Sequence, residues 1–98
     1  MKFGLTEEQF VYIFDTVVKP LKDSGAEVYC FGSRASCTHQ KFSDLDLMVE
    51  SSNDLSNIIG LIQEQLSNSN FPYKVDLVQF RDFAESYKEN YQNNKTLF

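Results

Sequence analysis

Three aspartates are the residues of this chain whose types and spacing most clearly suggest chemistry. Asp44 and Asp46 flank one leucine, and Asp76 lies between Val75 and Leu77 in a later apolar stretch. Because alternate side chains of a strand share a face, Asp44 and Asp46 would project together, about 7 Å apart. Carboxylates this close repel each other unless a cation lies between them. The spacing suits Mg²⁺, which proteins hold with one or two carboxylates, water and phosphate oxygens.

The alternative is that these acids are only solvated. Asp44 and Asp46 would then lie on an outer face, with Asp76 on the exposed side of an edge strand. Three features favour a site. The pair begins a strand, a second strand carries a third acid whose burial without a partner would be costly, and a glycine–serine pair precedes them.

Gly32 and Ser33 end an apolar run and precede Asp44 by ten intervening residues. Gly32 has no Cβ, so a ligand could approach the backbone closely, and Ser33 offers a hydroxyl and an amide. A helical turn after them would point free N–H groups at an anion, and Arg34 could add a phosphate contact. The spacing allows the chain to double back, which predicts a phosphate site beside the metal site.

Other metal and nucleotide motifs do not fit this sequence. An EF-hand would need Asp or Asn at Met48, and a P-loop beginning at Gly32 would need Gly at Cys37 and Lys at Thr38. His39 has no partner at metal-ligand spacing. The aspartates and the glycine–serine pair therefore remain the candidate site.

Composition limits the classes of function. The 98 residues are enough for one hydrophobic core, so we expect a single domain over residues 1–98. A net charge of −5 disfavours binding to long nucleic acids, which requires clustered cations. The sequence shows neither a signal peptide nor a membrane span, and Cys30 and Cys37 are expected to be reduced thiols, so we expect a cytoplasmic protein.

Apolar periodicity predicts the order helix, strand, loop, strand, helix, strand, helix. The first helix begins with a Thr6–Gln9 capping box, and Pro20 should kink or end it. Asp54 is expected to cap the second helix. The three strands are predicted at Glu27–Phe31, Asp44–Glu50 and Tyr73–Phe80. The last helix, from about residue 81, carries an aromatic stripe that is either core or a docking face: Phe83, Tyr87 and Tyr91.

The chain resembles the nucleotidyltransferases of the DNA polymerase beta superfamily in one pattern. This pattern is Gly32-Ser33, ten further residues, Asp44-x-Asp46, and a later strand acid at Asp76. In size the chain is similar to their minimal (MNT) members. The resemblance covers about residues 29–50 and 75–78. It implies an α+β nucleotidyltransferase fold, with a small mixed sheet of three or four strands packed with helices.

The same resemblance implies roles for individual residues. Asp44, Asp46 and Asp76 would bind metal, with two Mg²⁺ ions expected, and Asp76 would also act as the base. Gly32 and Ser33 would hold the triphosphate of ATP.

The resemblance also implies a partner. The chain would be an antitoxin that forms a hetero-oligomer with a helical HEPN-domain ribonuclease toxin and transfers AMP from ATP to a tyrosine of that toxin.

Relatives often continue the glycine–serine motif as G-S-x-A-R-G, whereas this chain has Ala35, Ser36 and Cys37. That departure favours an alternative, a catalytically weak or inactive module that neutralises its partner by binding. A third possibility is a catalytic subunit that modifies a small molecule.

Overall fold

The computed structural model describes residues 2–36 and 43–98. A helical arm comprises α1 (Glu7–Ile13), a π-helical segment (Phe14–Val18) and α2 (Lys19–Asp23). The strands are β1 (Glu27–Phe31), β2 (Leu45–Glu50), β3 (Val75–Gln79) and β4 (Thr96–Leu97). The remaining helices are α3 (Ser56–Ser67) and α4 (Glu85–Asn94). The predicted α+β class is confirmed.

The helical arm continues through Pro20 instead of ending there. The predicted capping box is present, since the Thr6 hydroxyl accepts from the Gln9 N–H and the Gln9 side chain accepts from the Thr6 N–H. In the π segment the Lys19 N–H bonds to the Phe14 carbonyl, five residues back. Pro20 then falls in the first turn of α2, where its missing N–H is tolerated.

The four strands form a mixed sheet in the order β3-β2-β1-β4. β1 pairs antiparallel with β2 and with β4, whereas β2 and β3 run parallel. Parallel pairing requires a crossover connection, and α3 supplies it. This connection brings the starts of β2 and β3, which carry Asp46 and Asp76, to the same end of the sheet.

One face of the sheet packs against the helical arm and α3. Its strand residues alternate with those of the other face, as the period of a strand requires. The largest buried side chains on this face and on the helices against it are Ile13, Val17, Leu21, Val28, Leu45, Leu47, Val49 and Ile62. This core holds β2 in one register, so the position of Asp46 is fixed from behind.

The opposite face is covered by α4. Tyr91 is 4% exposed, lies edge-on to the Phe31 ring and donates its hydroxyl to Glu50. Lys95 binds Glu50 at 2.9 Å and lies 4.2 Å from the centroid of the Tyr29 ring. Of the predicted aromatic stripe, Tyr91 is therefore core. Tyr87 is 62% exposed.

Two details of the elements differ from expectation. The two-residue strand β4 was not predicted, because a segment this short carries no periodic signal. Asp54 is not the N-cap of α3, since Leu55 occupies that position. The Asp54 carboxylate still accepts from the Ser56 N–H at 3.0 Å, while the Leu55 N–H bonds to the Gln79 side chain at 2.9 Å.

In the described part of the chain, no helix is long and apolar enough to cross a membrane.

Arg34 joins three separate segments beneath the site. The side chain is 2% exposed, and its Nε and Nη2 donate to the Ser43 carbonyl at 3.0 and 2.9 Å. Its Nη1 donates to the Phe3 carbonyl at 2.8 Å, and its guanidinium lies 4.2 Å from the centroid of the Tyr73 ring. Arg34 therefore connects the N-terminal segment to the residues that lead into β2 and β3.

Replacement of Arg34 tests this connecting role. We expect Arg34→Met to lower the free energy of unfolding by about 3 kcal/mol, because two carbonyls lose charged donors in a buried place. Arg34→Lys keeps the charge but cannot reach both carbonyls, so it should fall between wild type and Arg34→Met. Urea unfolding of the three proteins measures the difference. Unchanged stability in both variants would contradict the connecting role.

Candidate active site

Asp46 and Asp76 lie side by side on neighbouring strands. They are direct partners in the parallel register of β2 and β3, so their side chains point to the same face of the sheet. The Asp76 carboxyl is close enough to Asp46 to raise its pKa. Asp44 precedes β2 by one residue and is exposed. The structure therefore brings Asp46 and Asp76 together, and their role in a site stays a prediction.

The closeness of these acids changes the protonation of Asp46. Its pKa is raised from 3.8 to about 6, first because the carboxyl is partly buried, and then because Asp76 and Asp44 are negatively charged neighbours. Lys74 acts in the opposite direction. The site therefore concentrates negative charge, a situation that a bound cation would relieve.

Lys74 is a site residue that the sequence prediction missed. Its Nζ lies 3.6 Å from Oδ1 of Asp76, and its side chain is 70% exposed. The available signal was its place two residues before Asp76, which puts both side chains on the same face of the extended chain. In the part of the chain that the structure describes, Lys74 forms an ion pair with Asp76, and its exposed side chain is accessible to an anion.

Gly32 stands directly against the Asp46 carboxylate. Phe31, the last residue of β1, is the register partner of Asp46, and Gly32 follows it with φ of +76°. A Cβ on Gly32 would lie 2.6 Å from Oδ2 of Asp46, closer than such atoms can approach. Glycine is favoured here by the backbone angle, and its missing Cβ leaves the space that the carboxylate occupies.

A tight turn follows Gly32. The Ser36 N–H bonds to the Gly32 carbonyl at 3.3 Å, and the Ser36 hydroxyl lies 3.3 Å from the carbonyls of both Gly32 and Ser33. The turn places Ser33 directly after Gly32, which borders the Asp46 carboxylate. Arg34, which the sequence also assigned to phosphate, is engaged by carbonyls beneath the site, and a phosphate role would require it to leave them.

The donors present suit a hard divalent cation. Asp46 and Asp76 offer adjacent carboxylate oxygens, and Mg²⁺ commonly uses one or two carboxylates together with substrate phosphates. Across residues 2–36 and 43–98, no three His, Cys, Asp or Glu side chains converge in a metal-binding cluster. Asp44 as a third ligand therefore stays a prediction. His39 and Cys37 lie outside the described residues.

Cys30 takes no part in the chemistry of the site. It is a free thiol, fully buried on the core face of β1. Burial, and next the charge of Asp46, raise the pKa of the Cys30 thiol to about 12. A thiol with so high a pKa is not a nucleophile at neutral pH.

The Gly32 contact can be tested with a matched pair of glycines. Gly25 also has a positive φ, +90°, but a Cβ there would meet nothing within 4 Å. We expect Gly25→Ala to cost about 1 kcal/mol from backbone strain alone. Gly32→Ala should cost about 2–3 kcal/mol, because the Asp46 carboxylate must also move. Urea unfolding measures both. Equal losses in the two variants would contradict the steric role of Gly32.

The burial of Asp46 and its repulsion by Asp76 and Asp44 predict that the ionised site lowers the free energy of unfolding. The raised pKa means that folded Asp46 holds its proton to higher pH than unfolded Asp46, so its contribution is lost as pH rises from about 4 through about 6. We expect Asp46→Asn to be more stable than wild type by about 1 kcal/mol at pH 7, a value reduced by solvent screening, with the gap closing near pH 4. Urea unfolding across this range measures it. Asp15→Asn, at an exposed helix position, is the control, and a gap independent of pH would contradict the repulsion.

Comparison with known proteins places this geometry in a family. The family model described as "Nucleotidyltransferase domain" matches residues 12–98. The "Probable protein adenylyltransferase MntA" of Haemophilus influenzae is 35% identical over 63 residues, which are 63% of this chain and 55% of that protein. The chain thus spans about half the length of this relative.

Solved structures share the fold. A toxin–antitoxin crystal structure with AMP-PNP superposes with a TM-score of 0.64 at 24% identity, covering 95% of this chain and 72% of the other. The crystal structure of a mutant of the toxin–antitoxin pair MntA–HpeT superposes with a TM-score of 0.63 at 21% identity. The match covers 97% of this chain and 72% of the other. The family match extends over most of the described sheet and over both halves of the site. This chain belongs to the nucleotidyltransferase domain family.

Proposed function

We propose that this chain is a metal-dependent nucleotidyltransferase that moves AMP from ATP to a hydroxyl of a partner protein. The observation that carries the proposal is the Asp46–Asp76 pair held against the turn at Gly32, where a Cβ would displace the Asp46 carboxylate. A phosphate chain on that turn would lie beside two carboxylates. This is the arrangement that transfer of a nucleotidyl group requires.

The carboxylates are the residues that would hold the cation. Asp46 and Asp76, with Asp44 beside them, would bind Mg²⁺, which when bound neutralises the phosphate oxygens and the acids together. Gly32 and Ser33 would hold the triphosphate by backbone N–H groups and the serine hydroxyl. Lys74 adds positive charge on the same side.

Asp76 is the proposed base. Its side chain is 39% exposed and lies on the edge strand β3, so a hydroxyl from another molecule can reach it. It would accept the proton of the attacking hydroxyl while the bond from the α-phosphorus to the pyrophosphate leaving group breaks. Attack in line with that bond depends mainly on positioning, which the fixed register of β2 and β3 supplies.

The proposed acceptor is a tyrosine of a HEPN-domain toxin. The support is similarity: a curated relative is named a protein adenylyltransferase, and chains of the same fold were solved as toxin–antitoxin pairs. The antitoxin would silence its partner by modifying it. The site fits this role because Asp76 faces outward.

The test is incubation of the chain with Mg·ATP and the product of its neighbouring gene as the candidate partner. We expect the partner to gain the mass of one AMP, and Asp46→Ala to abolish the gain, because the acid pair is lost. Mass spectrometry of the intact partner measures it, with Asp15→Asn as the matched acid control. An unmodified partner with wild-type protein would contradict adenylyl transfer to a protein.

A binding role is the second candidate. Ser36 stands where relatives often carry arginine, and its hydroxyl bonds within the turn, so it supplies no cation there. If Asp44→Ala and Asp46→Ala protect cells from the toxin as well as wild type does, neutralisation occurs by occupancy. Loss of protection in both variants would exclude the binding role.

A further inference from the structure

We propose that a cavity beside Gly32, between β1 and α4, binds the base of the nucleoside triphosphate. This inference rests on the proposed function, since it extends the phosphate site to the rest of the nucleotide. The cavity has a volume of about 220 Å³, and its lining includes Gly32, Phe83, Tyr87, Asn90, Tyr91 and Asn94. We call it the base cavity.

The position of the base cavity matches the reach of a nucleotide. Gly32 lines the base cavity and also contacts the Asp46 carboxylate, so one residue borders both places. A triphosphate on the turn after Gly32 needs only its ribose to bridge to the cavity. A base in the cavity would therefore be continuous with phosphates at the acids.

The walls of the base cavity are aromatic and prearranged. The Phe83 ring lies 6.0 Å from Tyr87 and 5.9 Å from Tyr91, measured between centroids, and Phe31 lies 6.0 Å from Phe83. Tyr91 is buried and fixed, whereas Tyr87 is 62% exposed. An exposed ring beside a cavity offers a surface on which a flat base can stack.

Two amides add polar recognition. The Asn94 Nδ2 donates to the Asn90 backbone carbonyl at 2.8 Å and to the Asn90 Oδ1 at 2.9 Å. These bonds fix both side chains at the rim and use the Asn90 oxygen and the Asn94 nitrogen. The Asn90 Nδ2 and the Asn94 Oδ1 are then a donor and an acceptor at the rim, groups that match those on the edge of adenine.

The helix itself favours a small ligand over a protein partner. Apart from Tyr87 and Tyr91, the ten residues of α4 are polar or charged, so α4 presents no extended apolar face. A docking helix normally uses anchors along several turns. One exposed ring bordering a cavity of this size fits a flat heterocycle instead.

The test is calorimetric titration of the chain with Mg·ATP and, separately, with inorganic tripolyphosphate in Mg²⁺. We expect Tyr87→Ala to weaken ATP binding by about five- to thirty-fold, the loss of one stacking contact, and to leave tripolyphosphate binding unchanged. Tyr87→Phe, which keeps the ring, should bind ATP as wild type does. Leu61→Ala, at a position 67% exposed on α3, is the matched control and should change neither.

A second comparison tests the amides. Asn90→Ala should lower the ratio of ATP to CTP affinity without changing tripolyphosphate binding. Two results would overturn the proposal that the base cavity binds the base: wild-type protein binds ATP no tighter than tripolyphosphate, or Tyr87→Ala binds ATP normally. Neither result would contradict the proposed function. Failure of wild type to bind either ligand would overturn both.

Discussion

The contact between the Gly32 backbone and the Asp46 carboxylate is the constraint on which the site depends. A positive φ turns the chain sharply after β1, and the missing Cβ leaves the space that the carboxylate fills. Any other residue would strain the turn, and its Cβ would also displace the Asp46 carboxylate. Gly32 thereby fixes the distance between the place proposed for phosphate and the acids proposed for metal.

The rest of the fold supports this contact. The apolar core behind β2 sets its register, the crossover through α3 places β3 parallel to β2, and Arg34 joins the segments that lead into both. The pKa of Asp46 is raised, first by burial of the carboxyl and then by the negative charges of Asp76 and Asp44. The fold therefore holds together a group of charges that oppose folding, a frequent property of functional sites.

Much of the fold and of the candidate site could be predicted from the sequence. The features that could not be predicted depend on tertiary packing. β1 was predicted with its observed bounds, because a run of β-formers ending in glycine is a strong local signal. The pairing of Asp46 with Asp76 depends on parallel register, which the sequence does not encode locally. Arg34 was assigned to phosphate by charge alone, whereas its burial among carbonyls is decided by tertiary packing. The base cavity requires α4 to fold back over β1, a tertiary arrangement that local sequence patterns do not encode.

We infer that Asp46 and Asp76 form one cation site against the Gly32 turn. Paramagnetic broadening of backbone amide signals by substoichiometric Mn²⁺, recorded by NMR with a non-hydrolysable ATP analogue present, tests it most directly. We expect selective broadening around Gly32, Asp46 and Asp76 in wild type, and loss of that broadening in Asp46→Asn. Broadening centred on other acids, or unchanged in Asp46→Asn, would contradict it.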